Sequence, residues 1–246
     1  MHPIIFHFGI LTVYSYGVML GAAVVVCALL LSYDAKKQGI SRDVVYDFVF
    51  WVVLAGITGA RIFYIFLNWD SFMQNPKEIF MIQHGGLAWQ GGLISGAAAA
   101  WIFIKKNHLP LLKFLDLASP YAALGQSIGR IGCLLNGCCY GRPAAWGLFF
   151  PAYEARLHPT QIYETIGLLF VFLILRRAQK VNPHPGRIFV LYLYLAALER
   201  FIVEFFRADH EATWLMGLSI FQIVCVFIFA AGIAMHWYVK NHRSSN

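Results

Sequence analysis

The sequence predicts an all-α integral membrane protein of about seven transmembrane helices, with the N-terminus outside and the C-terminus in the cytoplasm. Three observations predict it. The chain is 59% hydrophobic and only 13% charged, with a mean hydropathy of +0.63, whereas soluble domains carry about 25% charged residues. Seven apolar runs approach the roughly 20 residues needed to cross a bilayer. Basic residues gather in alternate loops.

The first run, 14–33, ends at the polar exit "SYDAKKQG". The second, 44–67, contains "GITGARIFYIF", and the third, 86–104, is the glycine- and alanine-rich "GLAWQGGLISGAAAAWIFI". The fourth, 114–132, is the weakest, because it carries Asp116, Ser119, Pro120, Gln126 and Ser127. It reads as an interior helix or a broken one, since irregular backbone at that depth survives only inside protein or beside water. The fifth, 161–175, starts within "HPTQIYE"; the sixth, 187–206, ends in "ERFIVEFF"; the seventh is 214–239. No cleavable signal peptide, long linker or internal repeat is read, so residues 1–246 form one polytopic domain.

Lys36, Lys37 and Arg42 follow the first run, and Lys105, Lys106 and Lys113 follow the third. Arg176, Arg177, Lys180 and Arg187 follow the fifth, and Lys240 and Arg243 the last. The loop between the second and third runs has Lys77 alone, and the one after the sixth begins with Arg207. The positive-inside rule then sets the orientation. The net charge of +7 belongs to the cytoplasmic face, which excludes a nucleic-acid partner.

Ionisable residues inside spans cost about 2.5–3.5 kcal/mol on insertion scales and need a reason to be there. Arg61, Arg130, Glu164, Glu199, Arg200, Glu204 and Arg207 are such residues. Arg200, Glu204 and Arg207 share one helical face at i, i+4 and i+7. One reading is a buried ion-pair lattice that fixes packing. The other is an outer-leaflet pocket for an anionic head group, because the charges gather at the outer ends of their spans and arginine is the fork-shaped donor suited to phosphate. The glycines of "HGGLAWQGGLISG" allow either close helix packing or bare N–H donors beside a substrate.

Several spaced motifs carry a resemblance over nearly the whole chain: "YSYGVMLG", "GARIFY", the doubled "GGL", "GRIGCLLNGCCYG", "HPTQIYE" and "RFIVEFFR". In this order they resemble the bacterial phosphatidylglycerol-prolipoprotein diacylglyceryl transferases. The resemblance implies a multi-pass enzyme of the bacterial plasma (inner) membrane. It would move the diacylglyceryl group of phosphatidylglycerol onto the lipobox cysteine of a prolipoprotein signal peptide, forming a thioether and releasing glycerol phosphate, with no cofactor.

On this resemblance Arg130 matches the arginine of the family signature and Arg200 that of the sixth-span motif; both are expected to clamp the phosphate. Glu204 matches the acid one turn after Arg200, and Glu164 the acid ending "HPTQIYE". Asn136 and Gly141 match the signature's second asparagine and last glycine. Tyr16, Arg61, Gln90 and His158 complete the expected substrate-binding set. The departures are specific: Cys133 stands where the family commonly has asparagine, Cys138 where it has glutamate, Ala196 where it has tyrosine, and Gln90 where it has a histidine proposed as base. Glutamine does not titrate. Either the arginines alone favour the thiolate, or His84 or His158 takes the role, or the acceptor differs; His84 is the candidate retained in the catalytic set.

Cys27 and Cys225 lie mid-span and read as small apolar residues. Cys133, Cys138 and Cys139 near the outer face admit three readings: small-residue replacement, a disulfide in an oxidising envelope, or a metal-binding or acyl-carrying thiol. Their C-x4-C-C spacing matches no recognised zinc motif, and no metal is expected. A membrane transporter or thiol redox protein is the alternative from another class, although neither inverted repeats nor C-x-x-C is present.

Overall fold

A computed structural model describes residues 1–8, 11–81, 85–181, 184–208, 213–215 and 217–241. It is mainly helical: α1 Ser15–Lys37, α2 Arg42–Leu67, the short α3 Trp69–Gln74, α4 Trp89–Lys106, α5 Leu111–Asn136, α6 Thr160–Val181, α7 Arg187–Glu204 and α8 Ile220–Asn241. Of these, α1, α2 and α8 are long and apolar enough to cross a membrane by length and composition.

Strands amend the all-α expectation. Among the described residues three antiparallel strand pairs occur, β1 Ile4–Phe8 with β2 Leu11–Tyr14, β3 Pro143–Phe150 with β4 Ala155–Leu157, and β5 Thr213–Leu215 with β6 Leu218–Ser219. The last replaces the start of the expected 214–239 helix, which begins only at Ile220. Gly217, at φ +79°, supplies the left-handed turn that an apolar-run reading passes over.

The chain forms two compact units, Met1–Leu31 with Leu115–Asn246, and Ser32–Phe114. In the first, the polar fourth run is one unbroken helix despite Pro120, whose ring removes the N–H that would bond the Asp116 carbonyl. Gln179 Nε2 of α6 donates to that carbonyl instead, at 2.7 Å. The Asp116 carboxylate accepts the backbone N–H groups of Gly186 at 2.6 Å and Phe189 at 2.8 Å. It thereby caps α7 from outside, because Gly186 at its N-cap has no side chain to do so. Ser119, Pro120 and Ser127 are buried, and Ser127 donates to the Thr165 carbonyl of α6 at 2.8 Å. Ala123 joins Val171, Leu175 and Ile188 in an apolar cluster. The polar residues that weakened the fourth run are those that tie α5 to α6 and α7.

In the second unit α2 packs on α4 through small residues. A Cβ on Gly91 would overlap the Gly59 carbonyl, and one on Gly59 would overlap Ser95. Ser95 Oγ donates to the Ala55 carbonyl at 2.8 Å. The second glycine pair is thus a packing seam.

Replacing Asp116 with alanine removes the side-chain cap at the N-terminus of α7 and is expected to lower stability by about 1–2 kcal/mol, with Asp116→Asn in between. Thermal unfolding in detergent micelles measures this.

Candidate anion-binding and catalytic site

The site lies at one end of the first unit, where the end of α5, the loop 137–142, the start of α6 and the end of α7 meet. Glycine closes α5: Gly137 at φ +77° follows Asn136. The Cys133 carbonyl accepts from Gly137 N at 3.0 Å and Cys138 N at 3.2 Å, a Schellman ending. The chain is then stitched to the end of α7. Arg142 N donates to the Phe206 carbonyl at 2.8 Å, and Arg142 Nε to the Arg207 carbonyl at 3.3 Å. Gly141 N donates to the His158 carbonyl at 2.9 Å. A Cβ at Gly141 would run into the Phe206 carbonyl and His158, so the expected binding glycine sits where only glycine fits.

Glu164, with 1% of its side chain exposed, is the hub. Its Oε2 pairs with Arg130 Nε, and its Oε1 accepts Arg200 Nη1 at 2.9 Å and Arg207 Nη1 at 3.3 Å. Glu204 Oε2 lies 2.8 Å from Arg200 Nη2 and 3.9 Å from Arg207 Nε. Its Oε1 accepts the Ser219 hydroxyl at 2.8 Å. Three guanidiniums thus face two carboxylates. Arg207 is buried, whereas Arg130 and Arg200 keep 27% and 21% of their side chains accessible. Those two can reach a ligand without losing their carboxylate anchors.

Other expected residues gather here. Tyr16, in the first turn of α1, lies within electrostatic reach of Arg130 and the three cysteines, and Gly132 of α5 leaves room for it. The Asn136 side chain hydrogen-bonds the Cys138 thiol. His158 Nδ1 and the Tyr163 hydroxyl bond at 3.1 Å, with the Trp146 and Phe206 rings packed on the imidazole at 4.9 and 5.4 Å.

Arg61 and Gln90 belong to the second unit. Arg61 is buried and donates to the carbonyls of Glu78, Ile79, Met81, Gly85 and Gly86. Its guanidinium therefore shapes a loop in which Gly85 and Gly86 take φ of +85° and +80°. Gln90 is half-buried in the first turn of α4. His84 lies outside the described residues.

Three things were missing from the sequence-derived set. Arg207 was visible on the helical face of Arg200 but not assigned to the site. Glu199 lies within electrostatic reach of the same cluster, packed where Gly167 leaves room, with a buried Oε1 that has no hydrogen-bond partner among the described residues. Thr160 and Gln161, fully buried, donate to the carbonyls of Cys139 and Cys138, both at 2.6 Å. The Cys133, Cys138 and Cys139 sulfurs all lie within 4.8 Å of one another. The Cys139 thiol donates to the Cys138 sulfur at 3.8 Å, with the Arg207 and Arg130 guanidiniums within electrostatic reach.

An apolar helical chain whose interior arginines are anchored on buried carboxylates, two of them still accessible, is a protein of the membrane class. The family model for prolipoprotein diacylglyceryl transferase matches residues 3–238. The chain is 35% identical to the phosphatidylglycerol–prolipoprotein diacylglyceryl transferase of Clostridium tetani, over 95% of this chain and 96% of that protein. It is 34% identical to the enzyme of that name from a Nostoc species, over 97% and 90% of the two chains. It is 32% identical to that of Halalkalibacterium halodurans, over 94% and 83%. The chain belongs to the prolipoprotein diacylglyceryl transferase family and is a transferase of lipoprotein biosynthesis.

Glu164→Ala leaves three arginines without their common partner, and removing one side of a buried pair costs about 3–5 kcal/mol. Glu164→Gln, which keeps the shape and can still accept, is expected to cost less. Chemical denaturation in micelles ranks the two.

Proposed function

We propose that Arg130 and Arg200 clamp the phosphate of phosphatidylglycerol while the acceptor, the lipobox cysteine of a prolipoprotein signal peptide, attacks the glyceryl carbon. A C–S bond forms, the C–O bond to phosphate breaks, and glycerol phosphate leaves with its charge opposite the two guanidiniums. The observation that carries this is the Glu164 hub. It holds Arg130 and Arg200 rigidly on one oxygen pair yet leaves both accessible, and preorganised donors are what stabilise charge developing on a leaving group. Glu204 and Arg207 position Arg200 and Glu164. Tyr16 and Asn136 border the acceptor side. On this reading the seven long helices are seven spans of the bacterial inner membrane, N-terminus outside, with the site in the outer leaflet, where both the lipid and the exported acceptor are found. The basic loops at 36–42, 105–113, 176–187 and 240–243 support that orientation.

Arg130→Lys and Arg200→Lys are each expected to lower transfer to a lipobox peptide by about 10²–10³-fold, with membrane insertion retained, because a point charge does not reproduce the fork. Near-normal labelling by either variant would remove the clamp.

A separate arm addresses the base. His84→Ala is expected to cost less than about tenfold, since a positioned acid–base group contributes about 10²-fold or more, and Gln90→His is expected to be tolerated. A loss beyond a hundredfold in His84→Ala would assign the base to His84.

A further inference from the structure

The three cysteines remain outside the phosphate clamp, and their geometry is specific. Cys133 is on the last turn of α5, and Cys138 and Cys139 follow the glycine that ends it. Cys139 adopts φ +62°, a conformation non-glycine residues rarely take. That backbone is held from both sides, because buried Gln161 and Thr160 bond the Cys138 and Cys139 carbonyls. The left-handed residue brings neighbouring side chains, which would otherwise diverge, to the same side: Cys138 Sγ and Cys139 Sγ are 3.8 Å apart, and all three sulfurs fall within 4.8 Å.

We infer that Cys133, Cys138 and Cys139 form a three-thiolate site for a thiophilic d10 cation, Zn2+, with a fourth position open to the acceptor thiol. Two ligands at a Zn–S length of about 2.3 Å in a tetrahedron stand about 3.8 Å apart, which is the Cys138–Cys139 spacing. A disulfide between those two would require Cα atoms about 4.4–6.8 Å apart, whereas adjacent trans residues are held at about 3.8 Å. A divalent ion with three thiolates carries one net negative charge, and Arg130 and Arg207 lie within electrostatic reach to balance it. Cys138 and Cys139 are half-buried beside buried Cys133, so the site can open towards an acceptor. The C-x4-C-C spacing gave no zinc signal because it matches no recognised ligand spacing, and the left-handed Cys139 is not visible in a spacing.

The inference rests on the transferase reading and supplies what that reading lacks, a way to make a thiolate with Gln90 in place of a histidine. A thiol that coordinates zinc is deprotonated. The acceptor S–H loses its proton to solvent on coordination. The sulfur's electron pair then forms the C–S bond, and the electrons of the broken C–O bond leave on the phosphate oxygen facing Arg130 and Arg200. No oxidant or reductant is needed.

The test uses the full-length protein in micelles. Purified protein, reconstituted with Zn2+ and freed of excess, is expected to hold one equivalent by elemental analysis, and Co2+ in its place to show thiolate-to-metal charge-transfer absorption. Cys138→Ser and Cys139→Ser, each checked for an unchanged unfolding temperature without metal, are expected to lose the metal. A lipobox peptide should shift the Co2+ spectrum, and the same peptide with serine for cysteine should not. Chelation should lower transfer about 10²-fold or more, with recovery on adding Zn2+. Protein that binds no metal, or whose mass shows a disulfide among these cysteines as isolated, overturns the site. Metal binding with no response to the cysteine peptide, or full transfer after stripping, overturns the open position. Failure of the transferase reading is separately visible as metal-replete, peptide-binding protein that transfers no lipid.

Discussion

The buried carboxylate of Glu164 is the constraint on which the site depends. An ion at 1% exposure is tolerated only when its charge is answered at once, and here the answer comes from three arginines: Arg130 on α5, Arg200 on α7 and Arg207 just beyond it. Each arginine can be in place only if its element is. The charge cluster therefore specifies how the ends of α5, α6 and α7 meet, and it also leaves two guanidiniums with accessible area. A lattice that only fixed packing would have buried all three as it buries Arg207. The network is a packing lattice in the fold, and the accessible faces of Arg130 and Arg200 are what the proposed anion pocket rests on.

The same economy appears deeper in the unit. Asp116, Pro120 and Ser127 are poor membrane residues by composition, yet each is matched by a group on another helix. Gln179 occupies the carbonyl that Pro120 leaves free, Asp116 caps α7, and Ser127 bonds the Thr165 carbonyl. A helix carrying such residues is stable where those partners stand. In an apolar environment this polar matching is a stronger specifier of helix order than apolar contact, because lipid tails compete with leucine for apolar contact but not for a hydrogen bond.

The cysteine loop carries the residues at which this chain departs from what the family resemblance leads one to expect, Cys133 in place of asparagine and Cys138 in place of glutamate. The backbone that presents them is fixed by Gly137, Gly141, Thr160 and Gln161, none of which is a reacting group. Close packing at Gly141, where any side chain would meet Phe206 and His158, makes the loop a rigid mount, so changing its side chains changes chemistry without changing shape.

Composition, apolar run length and loop charge were enough to place the chain in the membrane class and to locate its long helices, because those signals are local and set by the solvent around each segment. Motif order was enough for the family, and it singled out Arg130, Glu164, Arg200 and Glu204, which the fold gathers into one ion-pair cluster. Arg207 was half legible, as a residue on the right face with no assigned partner. The hairpin at 213–219 was hidden, since a short apolar strand and the start of an apolar helix look alike until Gly217 takes a left-handed turn. For Arg61 the sequence showed an arginine within a span but not its partners, and only the folded loop reveals five carbonyls around its guanidinium. The convergence of Cys133, Cys138 and Cys139 belongs wholly to the tertiary structure. It arises from one positive φ held by two side chains of another helix, and neither the dihedral angle nor the distant donors that hold it can be read from the spacing of residues along a chain.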